Sequence, residues 1–146
     1  MPHIAVIGAG IRGLSSAAWL VSTGAKVTVF EKHERLGGVW QQVHGGAQIN
    51  TPSYGYSFHP TNHWTSNKPS AAEILQNLEK MVRVCELRPR IRYSTAVNKV
   101  RQKKNGRWQI NDENQEFDGV LLCTGFLGKA KMPPTDLVAN FEGVLR

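Results

Sequence analysis

The residues best suited to chemistry stand near the start of the chain, where Gly8-Ala9-Gly10-Ile11-Arg12-Gly13 spells G-x-G-x-x-G. In that spacing Gly8 permits a tight turn and Gly10 lets the backbone approach a pyrophosphate. Gly13 lets a following helix pack close to the preceding strand. The free N–H groups at the helix start and the helix dipole then face the phosphates. The dipole alone is worth about 0.3–1 kcal/mol, rising to about 2 when partly buried, so several N–H bonds must add to it. Glu31 follows Gly13 by 18 residues, close to the spacing of about 20 expected for a ribose-binding acid. A carboxylate there accepts hydrogen bonds from both ribose hydroxyls and repels a 2′-phosphate. The pair of features therefore favours FAD or NAD over NADP.

Such a loop works only between a strand and a helix, and the flanking pattern supplies both. Residues 3–7 form an unalternating apolar run, as in a strand buried on both faces. Beyond the glycines, Leu14, Ala17, Ala18, Trp19 and Val21 read as a packed helix that ends at Gly24. Residues 26–30 form a second buried strand, completing a βαβ unit. Residues 31–70 are rich in Gly, Pro and aromatics and read as a functional loop without a helix of its own. Ser70 then caps a helix, with Glu73 completing a capping box, and Ile74, Leu75, Leu78, Met81, Val82 and Cys85 share one face. Residues 90–93 form the next parallel strand. Three short strands follow at 96–100, 107–111 and 115–117; their Asn105-Gly106 and Asn111-Asp112 turns predict an antiparallel meander. Residues 120–123 form a last buried strand before Thr124-Gly125. The expected class is α/β, a parallel sheet plus a three-stranded antiparallel meander.

At 146 residues the chain fits a single domain, and 40% hydrophobic with 20% charged residues excludes wholesale disorder. No apolar run is long enough to span a bilayer. The opening Met1-Pro2-His3 passes at once into Ile4-Ala5-Val6-Ile7, which leaves no room for a targeting peptide, so a cytoplasmic location is expected. The net charge of +7 raises nucleic acid as a partner. Its one cluster, Arg101 to Lys104 with Arg107, encloses the Asn105-Gly106 turn and reads as solvated surface, so no nucleic acid is expected. Cys85 and Cys123 have no ligand-like spacing and read as buried reduced thiols.

Other constellations are weaker. His59 and His63 have helical metal spacing, but Pro60 between them argues for a loop, and no metal is expected. Gly128-Lys129 lacks the glycine (Cys123 stands there) and the Ser or Thr (Ala130 stands there) of a P-loop. Tyr54, Tyr56, Phe58 and Trp64 either wall a ligand or fill a core beneath the long loop, the latter being favoured. Trp19 and Trp108 read as packing.

Several segments together resemble flavin-containing and Baeyer–Villiger monooxygenases: Gly8 to Leu14, Glu31-Lys32, and Leu36-Gly37-Gly38-Val39-Trp40. Cys123-Thr124-Gly125 with Pro133-Pro134, and Phe141 with Gly143, resemble further segments of that family. The resemblance implies a Rossmann-like FAD-binding domain spanning residues 1–146 and covering only the first part of the family's length. It assigns Gly8, Gly10 and Gly13 to the pyrophosphate and Glu31 to the ribose, with Ala9, Arg12, Leu14 and Lys32 among the cofactor-binding residues. Gly38, Val39 and Trp40 fall to the flavin side, Val97 to the adenine, and Thr124-Gly125 to the closing segment. Asn50-Thr51 falls where a flavin-proximal, catalytic asparagine is expected, or Asn50 simply starts the Thr51-Pro52 turn. In that family NADPH reduces the flavin, which then activates dioxygen to oxygenate a small-molecule substrate. NADPH needs a second G-x-G-x-x-G, and these 146 residues contain none, so a second chain supplying it is one expectation and an incomplete activity another. The alternatives are a non-catalytic module that binds a partner, or another FAD- or NAD-dependent oxidoreductase.

Overall fold

The structure, a computed structural model, describes residues 1–126 and Pro134. Gly128-Lys129, Ala130, Pro133 and the pair Phe141 and Gly143 lie outside the described residues. In chain order the elements are β1 (His3–Ile7), α1 (Ile11–Ser22), β2 (Lys26–Phe30), α2 (Ala71–Val84) and β3 (Ile91–Arg92). They continue with β4 (Val100–Gln102), β5 (Trp108–Ile110), β6 (Glu116–Phe117) and β7 (Gly119–Leu122). Among the described residues no helix is long and apolar enough to cross a membrane.

Strands β1 and β2 pair in parallel from His3–Lys26 to Ile7–Phe30, and β7 pairs in parallel with the other side of β1. The sheet order is β3-β2-β1-β7, so the chain winds outward on one side of β1 and returns on the other. A crevice therefore opens at the carboxyl ends of β1 and β7, the place where open α/β sheets bind ligands.

The two faces of the sheet are covered differently. Val6, Val27 and Val29 point into a core shared with Leu14, Ala17 and Ala18 of α1 and Ile74, Leu78, Met81 and Val82 of α2. The small Ala17 and Ala18 let α1 lie close. Residues Ala5, Ile7 and Phe30 point the other way, onto Ile110 and Phe117 of a second, antiparallel sheet ordered β4-β5-β6. This is the alternation a two-sided buried strand requires.

The α/β class and the meander are as expected; several details differ. The first meander strand is Val100–Gln102, not residues 96–100. Residues upstream of it are held by side chains instead: Asn98 N–H donates to Asn111 Oδ1, and Asn111 Nδ2 to Ala96 O. The long loop carries two 3-10 turns, Gly38–Gln41 and Ser53–Tyr56. Ser70 Oγ accepts from Glu73 N as expected, yet Glu73 Oε1 takes the N–H and hydroxyl of Thr65 rather than closing a capping box. Trp19 is not a packing residue; 72% of it is exposed on α1. The Asn105-Gly106 turn does join β4 to β5, and its cations pair with the neighbouring strands: Lys103 and Arg107 with Glu116, Arg107 with Asp118.

His3 is buried between the sheets, its Nε2 2.9 Å from Thr28 Oγ1 and its ring tilted against Phe117. Burial, reinforced by the charge of Lys26, holds its pKa below the ordinary histidine value. The unfolded chain therefore takes up this proton before the native one does. Stability should fall as pH drops below about 6.5, where the unfolded imidazole protonates. Urea unfolding midpoints measured between neutral and mildly acid pH should show this slope, and His3→Gln should flatten it.

Candidate functional site

The glycine turn closes directly on β1. Gly8 N–H donates to Phe30 O at 2.8 Å, and the first intrahelical bond runs from Leu14 N to Gly10 O. The amides of Gly10, Ile11, Arg12 and Gly13 thus precede the helical ladder and, among the described residues, have no protein acceptor. Gly10 is the N-cap and supplies no side-chain oxygen to satisfy them. Four donors without a protein acceptor stand at one end of α1, and Arg12 in the same turn is exposed.

Steric facts explain the glycines. A Cβ on Gly13 would stand 1.8 Å from Gly8 O, and one on Gly8 would stand 2.5 Å from Cys123 O. The loop, the helix start and the end of β7 are therefore in backbone contact. Gly10 is different: its Cβ would meet only Gly38 Cα, at an ordinary 3.6 Å. Gly10 and Gly38 approach one another closely, backbone to backbone: a Cβ on Gly38 would stand 3.1 Å from Gly10 Cα. Gly37 N–H donates to Ala9 O at 2.9 Å, fixing the second glycine turn against the first. A Cβ on Gly37 would collide with Leu75 Cδ2, so α2 sets the position of that turn.

Glu31 is only 4% exposed. Its Oε2 accepts from Ala9 N at 2.7 Å and its Oε1 from His33 N at 2.9 Å. The acid thus grips the glycine loop itself. Each oxygen keeps further acceptor capacity. Lys32 is exposed beside it.

The remaining expected residues divide. Trp40 is half-buried and donates from Nε1 to Tyr56 Oη at 2.9 Å; Val39 next to it is 43% exposed. Thr124 lies beside Gly8, and Gly125 follows it, exposed. Leu14 is fully buried in the core. Val97 packs against the cluster of Ile7 and Phe30 on the meander side. Asn50 and Thr51 are exposed between the buried Ile49 and the Ser53–Tyr56 turn, and neither side chain has a hydrogen bond among the described residues. The geometry brings Gly8, Gly10, Gly13, Glu31, Gly38 and Thr124 together and leaves Asn50 and Thr51 outside that set.

Tyr56, Phe58 and Trp64 pack on the core, as favoured, whereas Tyr54 is 83% exposed. His59 Nε2 lies 3.5 Å from Cys85 Sγ, while His63 is exposed. Cys85 and Cys123 are free and half-buried, and burial pushes both thiols up from their ordinary pKa. Among the described residues no group of three or more His, Cys, Asp or Glu is arranged to hold a metal ion. Composition alone did not single out Asn77, whose buried amide ties down His63; its signal was a polar residue inside the apolar face of α2.

The family model for the NAD(P)-binding Rossmann-like domain matches residues 6–78, from β1 through most of α2. The chain belongs to this family. Among curated proteins it is 30% identical over 150 residues to a 4-hydroxybenzoate brominase (decarboxylating) of Pseudoalteromonas luteoviolacea, covering 96% of this chain and 29% of that protein. It is 28% identical over 164 residues to human flavin-containing monooxygenase 5, covering 97% of this chain and 30% of the relative. Among solved structures, an oxidized steroid monooxygenase bound to NADP superposes with a TM-score of 0.78 at 30% identity, over 90% of this chain and 27% of that one. An OTEMO complex with FAD and NADP does so with a TM-score of 0.78 at 27% identity, over 97% and 29%. The chain thus spans about 30% of the length of the curated relatives it matches.

Two substitutions separate these roles. Gly13→Ala must push backbone from backbone and should lower stability by about 1–3 kcal/mol or more, while Gly10→Ala, meeting an ordinary contact, should change it little. Thermal unfolding of both variants checks this. Glu31→Gln points an amide N–H at the Ala9 or His33 N–H, leaving a buried donor unpaired. It should cost about 1–3 kcal/mol in nucleotide-free protein, read from urea unfolding.

Proposed function

We propose that this chain is the FAD-binding domain of a flavin-dependent monooxygenase. One observation carries the reading: four unbonded amides stand at the start of α1, at the sheet's switch point, beside a carboxylate buried on the next strand. That is donor chemistry for a pyrophosphate with acceptor chemistry for a ribose. The absence of a Cβ on Gly10 and on Gly38, which approach one another closely, keeps side chains off this end of α1.

In this reading Gly8, Gly10, Arg12 and Gly13 hold the pyrophosphate. Ala9 contributes by anchoring Glu31, and Leu14 by seating the helix. Glu31, with Lys32 beside it, holds the adenosine ribose, and Val97 sits toward the adenine. Gly38, Val39 and Trp40 bound the flavin side, with Thr124 and Gly125 closing the crevice. Asn50 and Thr51 would act only if a bound flavin draws their exposed loop toward it. When bound, the flavin would supply the redox chemistry, in which two electrons from NADPH and one dioxygen give an oxygenated small-molecule substrate and water. The protein's part is to orient that ring and shield it from water. The likeness to human flavin-containing monooxygenase 5, to a steroid monooxygenase bound to NADP and to OTEMO in complex with FAD and NADP supports the assignment. NADPH would be held outside these 146 residues, which contain no second glycine fingerprint.

A second reading is a non-catalytic module that docks on another chain. It is favoured by the outer edge of β7, where Leu122 is 68% exposed, and by the exposed Trp19. A stable complex indifferent to Gly10→Val would replace the enzyme reading.

Titration with FAD, NAD and NADPH, followed by flavin or protein fluorescence, tests the first reading. FAD should bind most tightly and NADPH most weakly, because Glu31 repels a 2′-phosphate. Gly10→Ala should weaken FAD by about tenfold or more while leaving the fold intact. Absence of any flavin affinity in the folded protein ends the proposal.

A further inference from the structure

The apolar face of α2 is interrupted by one buried polar residue. Asn77 is 6% exposed, set among Ile74, Leu78 and Met81. Its Oδ1 accepts from His63 N at 2.9 Å and its Nδ2 donates to His63 O at 3.0 Å, with a second bond to Glu73 O. A side chain that satisfies both main-chain groups of one loop residue clamps that residue in place. One turn earlier on α2, Glu73 Oε1 holds Thr65 through its N–H and hydroxyl. Between these two ties stands Trp64.

Trp64 is the far end of a chain of ring contacts. It packs on Phe58 and Tyr56 at centroid separations of 5.9 and 6.4 Å, and Tyr56 meets Trp40 edge-on at 6.0 Å. Trp40 also donates its indole N–H to the Tyr56 hydroxyl. Trp40 belongs to the 3-10 turn that begins with Gly38, the glycine opposite Gly10. The cluster is thus anchored at one end by α2 and ends at the other on the rim of the candidate crevice. Packed aromatic contacts of this kind transmit displacement because they leave little free volume.

We propose that Asn77 is a positioning residue for the cofactor site: by clamping His63 it holds the aromatic cluster, and through Trp40 it sets the distance of the Gly38 turn from Gly10. The inference rests on the flavin reading above. It assigns Asn77 to the flavin half of the cofactor and not to the adenosine diphosphate half, which is held by the α1 amides and Glu31 on separate elements.

The test uses the full chain with two probes, ADP and FAD. ADP reports the glycine loop alone; FAD reports the loop and the Gly38–Trp40 rim together. Asn77→Leu keeps the volume and removes both bonds to His63, and Glu73→Ala cuts the neighbouring tie at a less buried position. Each should weaken FAD by about fivefold or more while ADP stays within about twofold. The emission of bound flavin should rise as the aromatic rim moves away. Should Asn77→Leu fold poorly, Glu73→Ala carries the same expectation by itself. Equal losses for ADP and FAD overturn the proposal, since a merely structural role lowers both alike. Unchanged FAD affinity and flavin emission in the folded variants overturn it too, leaving the flavin reading standing. A wild-type chain that binds ADP but no flavin, or neither, overturns the flavin reading and this proposal with it.

Discussion

The Glu31 carboxylate, 4% exposed and bonded to the Ala9 amide, is the contact on which the rest of the site depends. It joins the end of β2 to the turn after β1, so the loop is held by a side-chain acceptor as well as by its own glycines. A buried hydrogen bond of this kind is costly to leave half-made. With Ala9 so engaged, the next four amides are aligned and left without partners. The same carboxylate also holds His33, and so directs the chain as it leaves the sheet.

The surrounding packing keeps that arrangement from relaxing. Gly8 lies against the end of β7, and Gly13 against Gly8. The order β3-β2-β1-β7 places those contacts at the only reversal of winding in the described parallel sheet. Helices on one face and the meander on the other bury β1 and β2 from both sides, so the strand ends that carry the loop have little freedom. The second glycine turn is held by Ala9 on one side and touches Leu75 on the other, with Trp40 tying it to the aromatic cluster.

Part of the meander's positive charge is paired within the fold. Arg92 binds Glu113 and Gln115 across to the meander and lies 5.3 Å over the Phe30 ring. Lys99, Lys103 and Arg107 are matched by Asp112, Glu116 and Asp118. These exposed pairs contribute little individually.

Local sequence was enough to define the glycine turn, the two helices, β1 and β2, and the Asn105-Gly106 hairpin. Each rests on short-range rules: apolar runs, capping residues, and glycine where a side chain would clash. It was also enough to single out Glu31 by its distance from Gly13. What it left open is whatever depends on residues far apart in the chain. The first meander strand moved because Asn98 and Asn111 bond side chain to backbone across 13 positions. Glu73 abandoned its capping box for Thr65, and Trp19 fell on the face of α1 that nothing among the described residues covers. The opposition of Gly10 and Gly38, the separation of Asn50 from the glycine set, and the Asn77 clamp are likewise products of packing. Spacing along a chain encodes local backbone geometry, whereas the distance between two loops is decided only when helices and sheets close on a shared core.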